Sequence, residues 1–391
     1  MNYCLKSNNI TPQHDQFLIN DYANGNFSIL KPEMNAILYR DINEYNNKII
    51  IAHFASSKKP MYNNCNNHLY QTWYDAIKNN ADLRPYPSLK QNDYIGILVY
   101  KNTNNVGDWY QTTSALYMWW KYINSKNTFR EFLIKCIYSN KIENYNICWI
   151  ERDNISKTIK PLNCDRVIIL FNGWFMHKNN NNVFDFPPPD WILPIYTSVH
   201  INYENILNDV TVDHFQKHEP IGCRDLDTLN LLNKYNIQSY FTGCLTILPD
   251  FSDSNFGFSQ TVDYSNDILN IDYSISDKVG INLTQNIKND DDKYWIVKSM
   301  QNVYNYSFAK EIITSRLHIY SPLKFNNANV TLYNKKTKKA FTSNDKDHSG
   351  KINRFAGLFD IINEKSINIK NINREILFYN TISNIVDAIN S

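Results

Sequence analysis

The chain is short of the residues that punctuate repetitive or linker-like proteins. Among 391 residues there are 10 Gly and 13 Pro, too few for a collagen-like or low-complexity architecture. It also lacks a charge bias. Lys and Arg number 40 against 38 Asp and Glu, a formal net charge of +2, so no overall field draws in nucleic acid or an anionic membrane, and any anion site has to be local. No run approaches the roughly 20 apolar residues that span a bilayer, and Met1-Asn2-Tyr3-Cys4-Leu5-Lys6 is not the apolar core of a secretory leader. The expectation is a soluble, cytoplasmic chain with no transmembrane segment and no nucleic-acid partner. Cysteine is present but not patterned: Cys4, Cys65, Cys136, Cys148, Cys164, Cys223 and Cys244 show no Cys-x-x-Cys or Cys/His ligand spacing. That argues against a zinc site and for reduced, mostly buried thiols, so no metal is expected.

What the sequence does have is apolar material. Hydrophobic residues make up 43% and aromatics 14%, ample for packed interiors, and the length exceeds one ordinary core. From Tyr94 onward, short apolar runs bounded by turn formers alternate with helical spacing. Tyr94 to Tyr100, Arg166 to Phe171, Leu193 to His200 and Ile221 to Cys223 read as strands, with helices over Asp108 to Lys121 and Arg224 to Leu232. After a polar, Phe-bearing loop from Pro249 to about Ser265, a second series begins. Strands are expected at Val279 to Leu283, Ile312 to Ser315 and Val330 to Tyr333, helices at Lys293 to Asn305 and His318 to Phe325, and a closing helix over Arg374 to Ile389. Strands alternating with helices indicate parallel α/β layers. The simplest architecture is two Rossmann-like domains facing a cleft, residues 91–255 and 256–391, preceded by a separate segment of residues 1–90 with a strand near Ile49 to Phe54 and an aromatic helix from Tyr70 to Asn80.

Several strand ends carry chemistry. Ile312-Ile313-Thr314-Ser315-Arg316-Leu317-His318 is a β-favouring run that stops abruptly at hydroxyls, a guanidinium and an imidazole. Such a strand delivers polar groups to the carboxyl edge of a sheet, where open α/β folds bind ligands. Arg offers a rigid fork to a carboxylate or phosphate and His titrates near neutral pH, so Arg316 and His318 are expected to bind an anion and deliver a proton. The loop Asn105-Val106-Gly107-Asp108-Trp109-Tyr110-Gln111 is either a capped turn, with Asp108 as the cap, or a site whose free amides take an anion or sugar hydroxyl. Asn172-Gly173-Trp174 follows a strand in the same way, its aromatics either stacking on a sugar ring or filling a core. Arg224, beside Asp225, is either half of a surface ion pair or an anion ligand.

In order along the chain these motifs resemble the polysaccharide pyruvyl transferase family from about Tyr94 to Ile362. They are the Asn-x-Gly-Asp loop at Asn105 to Asp108, the strand and Asn-Gly-Trp turn at Val167 to Trp174, Pro194 to His200, Arg224 to Thr228, Thr242-Gly243-Cys244-Leu245-Thr246, Thr314 to His318, and Arg354-Phe355-x-Gly357-Leu358. The resemblance implies a GT-B-like fold and transfer of pyruvate from phosphoenolpyruvate to a sugar or glycan as a ketal, a step in glycan biosynthesis with phosphoenolpyruvate as co-substrate and no other cofactor. It implies Arg224, Arg316 and Ser315 as donor-binding residues, His318 as the acid with His200 as a second candidate, and Asn105, Gly107, Asp108, Gln111, Asn172, Gly173 and Trp174 as cleft or acceptor residues. The chain departs from the family's small-residue Gly-x-Pro turn, with Asn326-Asn327-Ala328-Asn329 in its place. A nucleotide-sugar glycosyltransferase and a non-catalytic glycan-binding protein are the alternatives. Residues 1–90 bear a fainter resemblance to the last third of a glycogenin-type glycosyltransferase, through Asp15 to Asn20, Leu30 to Asn35 and His53-Phe54 followed by Lys59-Pro60-Met61. The Asp-x-Asp metal site of that family is absent upstream, which implies a remnant or docking module.

Overall fold

A computed structural model describes residues 36–37, 52–53, 89–100, 103, 105–123, 125–173, 185–272, 280–283, 293–334 and 337–341. The chain forms two compact units, Met1–Pro60 and Met61–Ser391. In the first, the strands Ala36–Ile37 and Ala52–His53 pair in parallel. The expected helices over Tyr70 to Asn80 and Arg374 to Ile389, Trp174, and the Arg354 to Leu358 motif lie outside the described residues.

The second unit is a mixed α/β structure with a large, mostly parallel sheet. Its elements are β1 (Tyr94–Val99), α1 (Val106–Ile123), α2 (Phe129–Ser139), β2 (Lys141–Ile142), β3 (Tyr145–Glu151), β4 (Val167–Gly173), β5 (Ile192–Val199), α3 (Asp209–Lys217), β6 (Ile221–Cys223), α4 (Leu226–Lys234) and β7 (Ser239–Phe241). They continue with β8 (Ile268–Ile271), β9 (Ile281–Leu283), α5 (Tyr294–Tyr306), β10 (Glu311–Thr314), α6 (Leu317–Phe325) and β11 (Val330–Leu332). Seven strands make one sheet in the order β2-β3-β1-β4-β5-β6-β7, and four make a second in the order β9-β8-β10-β11. Every pairing in the two sheets is parallel except the β2–β3 hairpin. The reason is written in β4: all seven residues of Val167–Gly173 are buried, as expected for a strand covered on both faces.

Each sheet reverses its strand order once. In the first, β1 leads to β3 on one side and the chain returns to β4 on the other; in the second, β8 leads to β9 and the chain returns to β10. The carboxyl ends at such reversals are splayed apart by the diverging connections, which opens a crevice there.

Helix α1 joins the two sheets into one body. Its sequence, VGDWYQTTSALYMWWKYI, has no wide polar face, and 15 of its 18 residues are buried, the signature of a core helix. It packs on β1 and against both α5 and α6, and Thr113 Oγ1 donates to the Ile296 carbonyl of α5 at 2.8 Å. One apolar core therefore runs from Ile95 and Trp119 through Leu269 and Ile312. The Pro249 to Ser265 loop is part of that core rather than a loose connection. Phe256, 2% exposed, stacks its ring 5.6 Å from Phe129 and 5.8 Å from Tyr304, while Asn255 and Phe256 carbonyls accept the first amides of α2 at 2.8 and 3.2 Å.

Candidate functional site

The two reversal points face each other. Gly107, in the first turn of α1 just past β1, lies against His318 in the first turn of α6 just past β10. A Cβ added at Gly107 would sit 2.8 Å from His318 Cβ and 3.2 Å from its Nδ1, so only glycine allows this approach. The cap of α1 is Asn105 rather than Asp108: its Oδ1 accepts from the Gly107 amide at 3.1 Å and its carbonyl from the Asp108 amide at 3.0 Å. Asp108 is instead a hub. Its carboxylate accepts from Thr103 Oγ1 at 2.6 Å, Asn105 Nδ2 at 3.2 Å and Gln111 Nε2 at 3.4 Å. Burial raises its pKa, opposed by the charge of Arg152, the Thr103 hydrogen bond and, from the second sheet, the charge of Arg316.

Arg224 is the most unusual group. It follows β6, its amide donating to the Val199 carbonyl at 2.8 Å, and its side chain is only 2% exposed. The adjacent Asp225 does not pair with it. One Asp225 oxygen caps α4 by accepting from the Thr228 amide at 2.9 Å, and the other accepts from His200 Nδ1 at 2.7 Å. Arg224 Nε has no hydrogen-bond partner, and its guanidinium has no ion pair, among the described residues. Burial dominates the pKa of the Tyr100 phenol just past β1 and raises it, with the charges of Arg152 and, more weakly, Arg224 acting in the opposite direction. A surface ion pair, one of the two readings open from sequence, is therefore not what Arg224 forms.

Across the crevice the groups are more exposed and more satisfied. Arg316, 38% exposed, donates from Nε to Asp272 Oδ2 at 3.0 Å, and Ser315 Oγ donates to the Asp272 carbonyl at 3.0 Å. Asp272 closes β8, the strand beside β10, so the second reversal point is held by its own side chains.

The first reversal point contains residues that sequence reasoning passed over. Arg152, just past β3, places its guanidinium 4.6 Å from the Tyr100 ring centroid and forks onto Asp153 with two 2.8 Å bonds. Asn172 is 1% exposed and donates from Nδ2 to the Gln111 carbonyl at 3.2 Å. Gly173 adopts φ +92°; a Cβ there would overlap Gln111 Oε1 and lie 3.1 Å from Tyr100 Oη. A signal for Arg152 did exist in the sequence, since Cys148-Trp149-Ile150-Glu151-Arg152 ends an apolar run in a charged pair. Its alternation with Asn146 and Glu151 hid the strand.

Thus Asn105, Gly107, Asp108, Gln111, Asn172 and Gly173 are linked through direct contacts at the first reversal point, His318 meets them at Gly107, Ser315 and Arg316 are bonded to Asp272 at the second, and Arg224 stands apart at the end of β6. His200 is buried at the end of β5, its amide bonded to the Gly173 carbonyl at 3.1 Å and its ring committed to Asp225. No group of three or more metal-ligating side chains occurs among the described residues, and no helix among them is long and apolar enough to cross a membrane.

No protein-family model matches the chain, and no curated protein matches it. Among solved structures it is similar to an uncharacterized protein from Klebsiella pneumoniae subsp. pneumoniae NTUH-K2044, at 16% identity and a TM-score of 0.37, covering 66% of this chain and 88% of that one.

Proposed function

We propose that the chain is a pyruvyl transferase-like enzyme that moves pyruvate from phosphoenolpyruvate to a sugar or glycan, using a cleft between two Rossmann-like, GT-B-like halves. The observation that carries this reading is Arg224, a residue 2% exposed whose Nε has no hydrogen-bond partner and whose side chain has no ion pair among the described residues. A buried charge left uncompensated costs several kcal/mol, so a protein retains one where a ligand of opposite charge completes it. Phosphoenolpyruvate offers a carboxylate and a phosphate, to be taken by Arg224 at the end of β6 and Arg316 at the end of β10, which belong to different sheets. In its imidazolium form His318 donates a proton to the C3 methylene of the enol, which makes C2 electrophilic. A sugar hydroxyl oxygen bonds to C2 and gives its proton to a base, for which Asp108 is placed with its raised pKa. A second hydroxyl then bonds to C2 as the C2–O bond to phosphate breaks, its proton passing to the departing phosphate, which closes the ketal and releases inorganic phosphate. The cationic walls stabilise the phosphate as it leaves.

Thermal denaturation with added ligand tests the reading. Phosphoenolpyruvate is expected to raise the melting temperature, and Arg316→Ala and Arg224→Met to abolish the rise. A rise with uridine or guanosine diphosphate and none with phosphoenolpyruvate would replace this reading with a nucleotide-sugar glycosyltransferase. Binding of a glycan without turnover, unaffected by His318→Ala, would replace it with a non-catalytic glycan-binding protein.

A further inference from the structure

β5 carries one residue more than the strand it pairs with. The register between β4 and β5 runs from Val167 opposite Ile192 to Phe171 opposite Tyr196, and then resumes with Gly173 opposite Val199. Thr197 and Ser198 thus share the place across from Asn172, which is a β-bulge. The packing records it. Tyr196 and Val199 are three positions apart, yet both side chains lie in the apolar cluster that holds Phe171 and Phe215, where strict alternation would put them on opposite faces. Room for the displaced backbone comes from β6: a Cβ at Gly222 would lie 3.0 Å from the Tyr196 carbonyl oxygen and 3.1 Å from Thr197 Cα.

The bulge turns on Ser198, which adopts φ +63°. That left-handed conformation favours glycine, and another residue keeps it only where its surroundings enforce it. Here the enforcing contact is the side chain. Ser198 is 1% exposed, and its Oγ accepts from the Leu245 amide at 2.9 Å. Leu245–Ile247 is a 3₁₀ turn that packs on both α1 and α6, the helices whose first turns meet at Gly107 and His318. Immediately after the bulge, the Val199 carbonyl accepts from the Arg224 amide and the His200 amide donates to the Gly173 carbonyl. Removing the extra residue would turn Val199 and His200 to the opposite faces and take His200 from Asp225. We propose that Ser198 is a positioning residue, whose clamped bulge fixes His200 and Arg224 relative to α1 and α6 and so to His318. Its effect on phosphoenolpyruvate rests on the pyruvyl-transfer reading; its effect on His200 does not.

Two variants separate the clamp from the backbone. Ser198→Ala loses the hydroxyl and keeps the strain, whereas Ser198→Gly loses the hydroxyl and relieves it. Calorimetry with phosphoenolpyruvate on the full chain reads the Kd and the fraction of chains that bind. Proton NMR reads the His200 Nδ1–H bonded to Asp225, assigned by its absence from His200→Gln. Both variants are expected to weaken phosphoenolpyruvate binding roughly tenfold at unchanged stoichiometry, the size of one buried hydrogen bond, and to shift or lose the His200 resonance. Ser198→Gly is expected to melt at a higher temperature than Ser198→Ala without recovering either. A serine that only supports the fold would instead lower the fraction of chains that bind, with the wild-type Kd and the His200 resonance kept, and that result overturns the proposal. If Ser198→Ala does not fold, Ser198→Gly carries the comparison. If wild type fails to bind phosphoenolpyruvate, the reading of the reaction falls, and the His200 resonance alone decides the role of Ser198. If wild type binds and both variants match it in Kd and resonance, the positioning role falls alone.

Discussion

The two reversal points meet at Gly107 and His318 but are finished in opposite ways. The first, at the ends of β1 and β4, contains three buried oxygens with no hydrogen-bond partner among the described residues, and two strands further along the same sheet β6 ends at Arg224, buried with an unbonded Nε. The second, at the ends of β8 and β10, bonds Arg316 and Ser315 to Asp272 and leaves Arg316 more than a third exposed. A group that is buried and unsatisfied pays its desolvation cost in the free protein, so a ligand gains the full interaction on arrival. One that is solvated and paired must first give up its partner. On the reading proposed above, the first half would supply pre-organised affinity, and the second an adjustable cation and the imidazole.

Replacing each arginine by a residue of similar length and no charge breaks this comparison most sharply. Arg224→Met should eliminate phosphoenolpyruvate binding and leave the free protein as stable or more stable, by about 1–4 kcal/mol, because an uncompensated charge is exchanged for apolar packing. Arg316→Met should also weaken binding but change the unfolding free energy by less than about 1 kcal/mol, the usual worth of a solvent-screened pair. Chemical denaturation of the two variants without ligand checks both; a large loss of stability in Arg224→Met would mean that the guanidinium is already satisfied.

Next in size is the contact between the halves. Gly107→Ala should displace His318 and cut kcat by about a hundredfold through misalignment of the proton donor, with phosphoenolpyruvate affinity changed far less. Steady-state kinetics beside calorimetry separates the two quantities. Asp272→Asn sharpens the comparison in the other direction: by loosening the hold on Arg316 it should tighten phosphoenolpyruvate binding by up to about tenfold.

A smaller effect concerns pH. The pKa of Asp108 is raised by burial, so in the folded state the carboxyl holds its proton to a higher pH than in the unfolded chain. Its contribution to stability is therefore fully present below the ordinary aspartate range and is lost as pH rises through the raised value. Asp108→Asn should remove that slope and be the more stable protein at neutral pH, as thermal melts across a pH series would record. The smallest expected change is at α2, where Thr128 and Glu131 form a reciprocal capping box. Thr128→Ala should cost about 1 kcal/mol, measured in urea, without altering ligand binding.

The parallel strands were legible wherever burial on both faces produced an unbroken apolar run, as in Tyr94–Val99, Val167–Gly173 and Glu311–Thr314. β3, in which Asn146 and Glu151 interrupt the apolar residues, and β8, four residues long with Asn270 inside, escaped notice. Short or alternating strands owe their state to partners far along the chain, and local composition does not reveal them. The capping box of α2 was present in the sequence as Thr128-x-x-Glu131 and was a usable signal. The loop after Pro249 reads as a boundary because Asp, Ser, Asn and Gly dominate it, and it does lie between the last strand of the first sheet and the first strand of the second. Its phenylalanines, spaced among those polar residues, reach a core that only the packing of α2 and α5 creates.

Composition and periodicity by themselves determined that the chain is an α/β protein whose strands end in polar groups, and they placed Arg316 and His318 at such an end. They could not determine what those groups meet. That Asp225 turns to His200 and leaves Arg224 alone, that Gly107 and His318 touch across two sheets, and that Tyr100 and Arg152 border the same crevice were decided by tertiary structure. Strand and helix periods are local steric properties of the backbone, whereas charge pairing and burial depend on which segments become neighbours once one helix, α1, packs on the first sheet and on the helices α5 and α6 of the second.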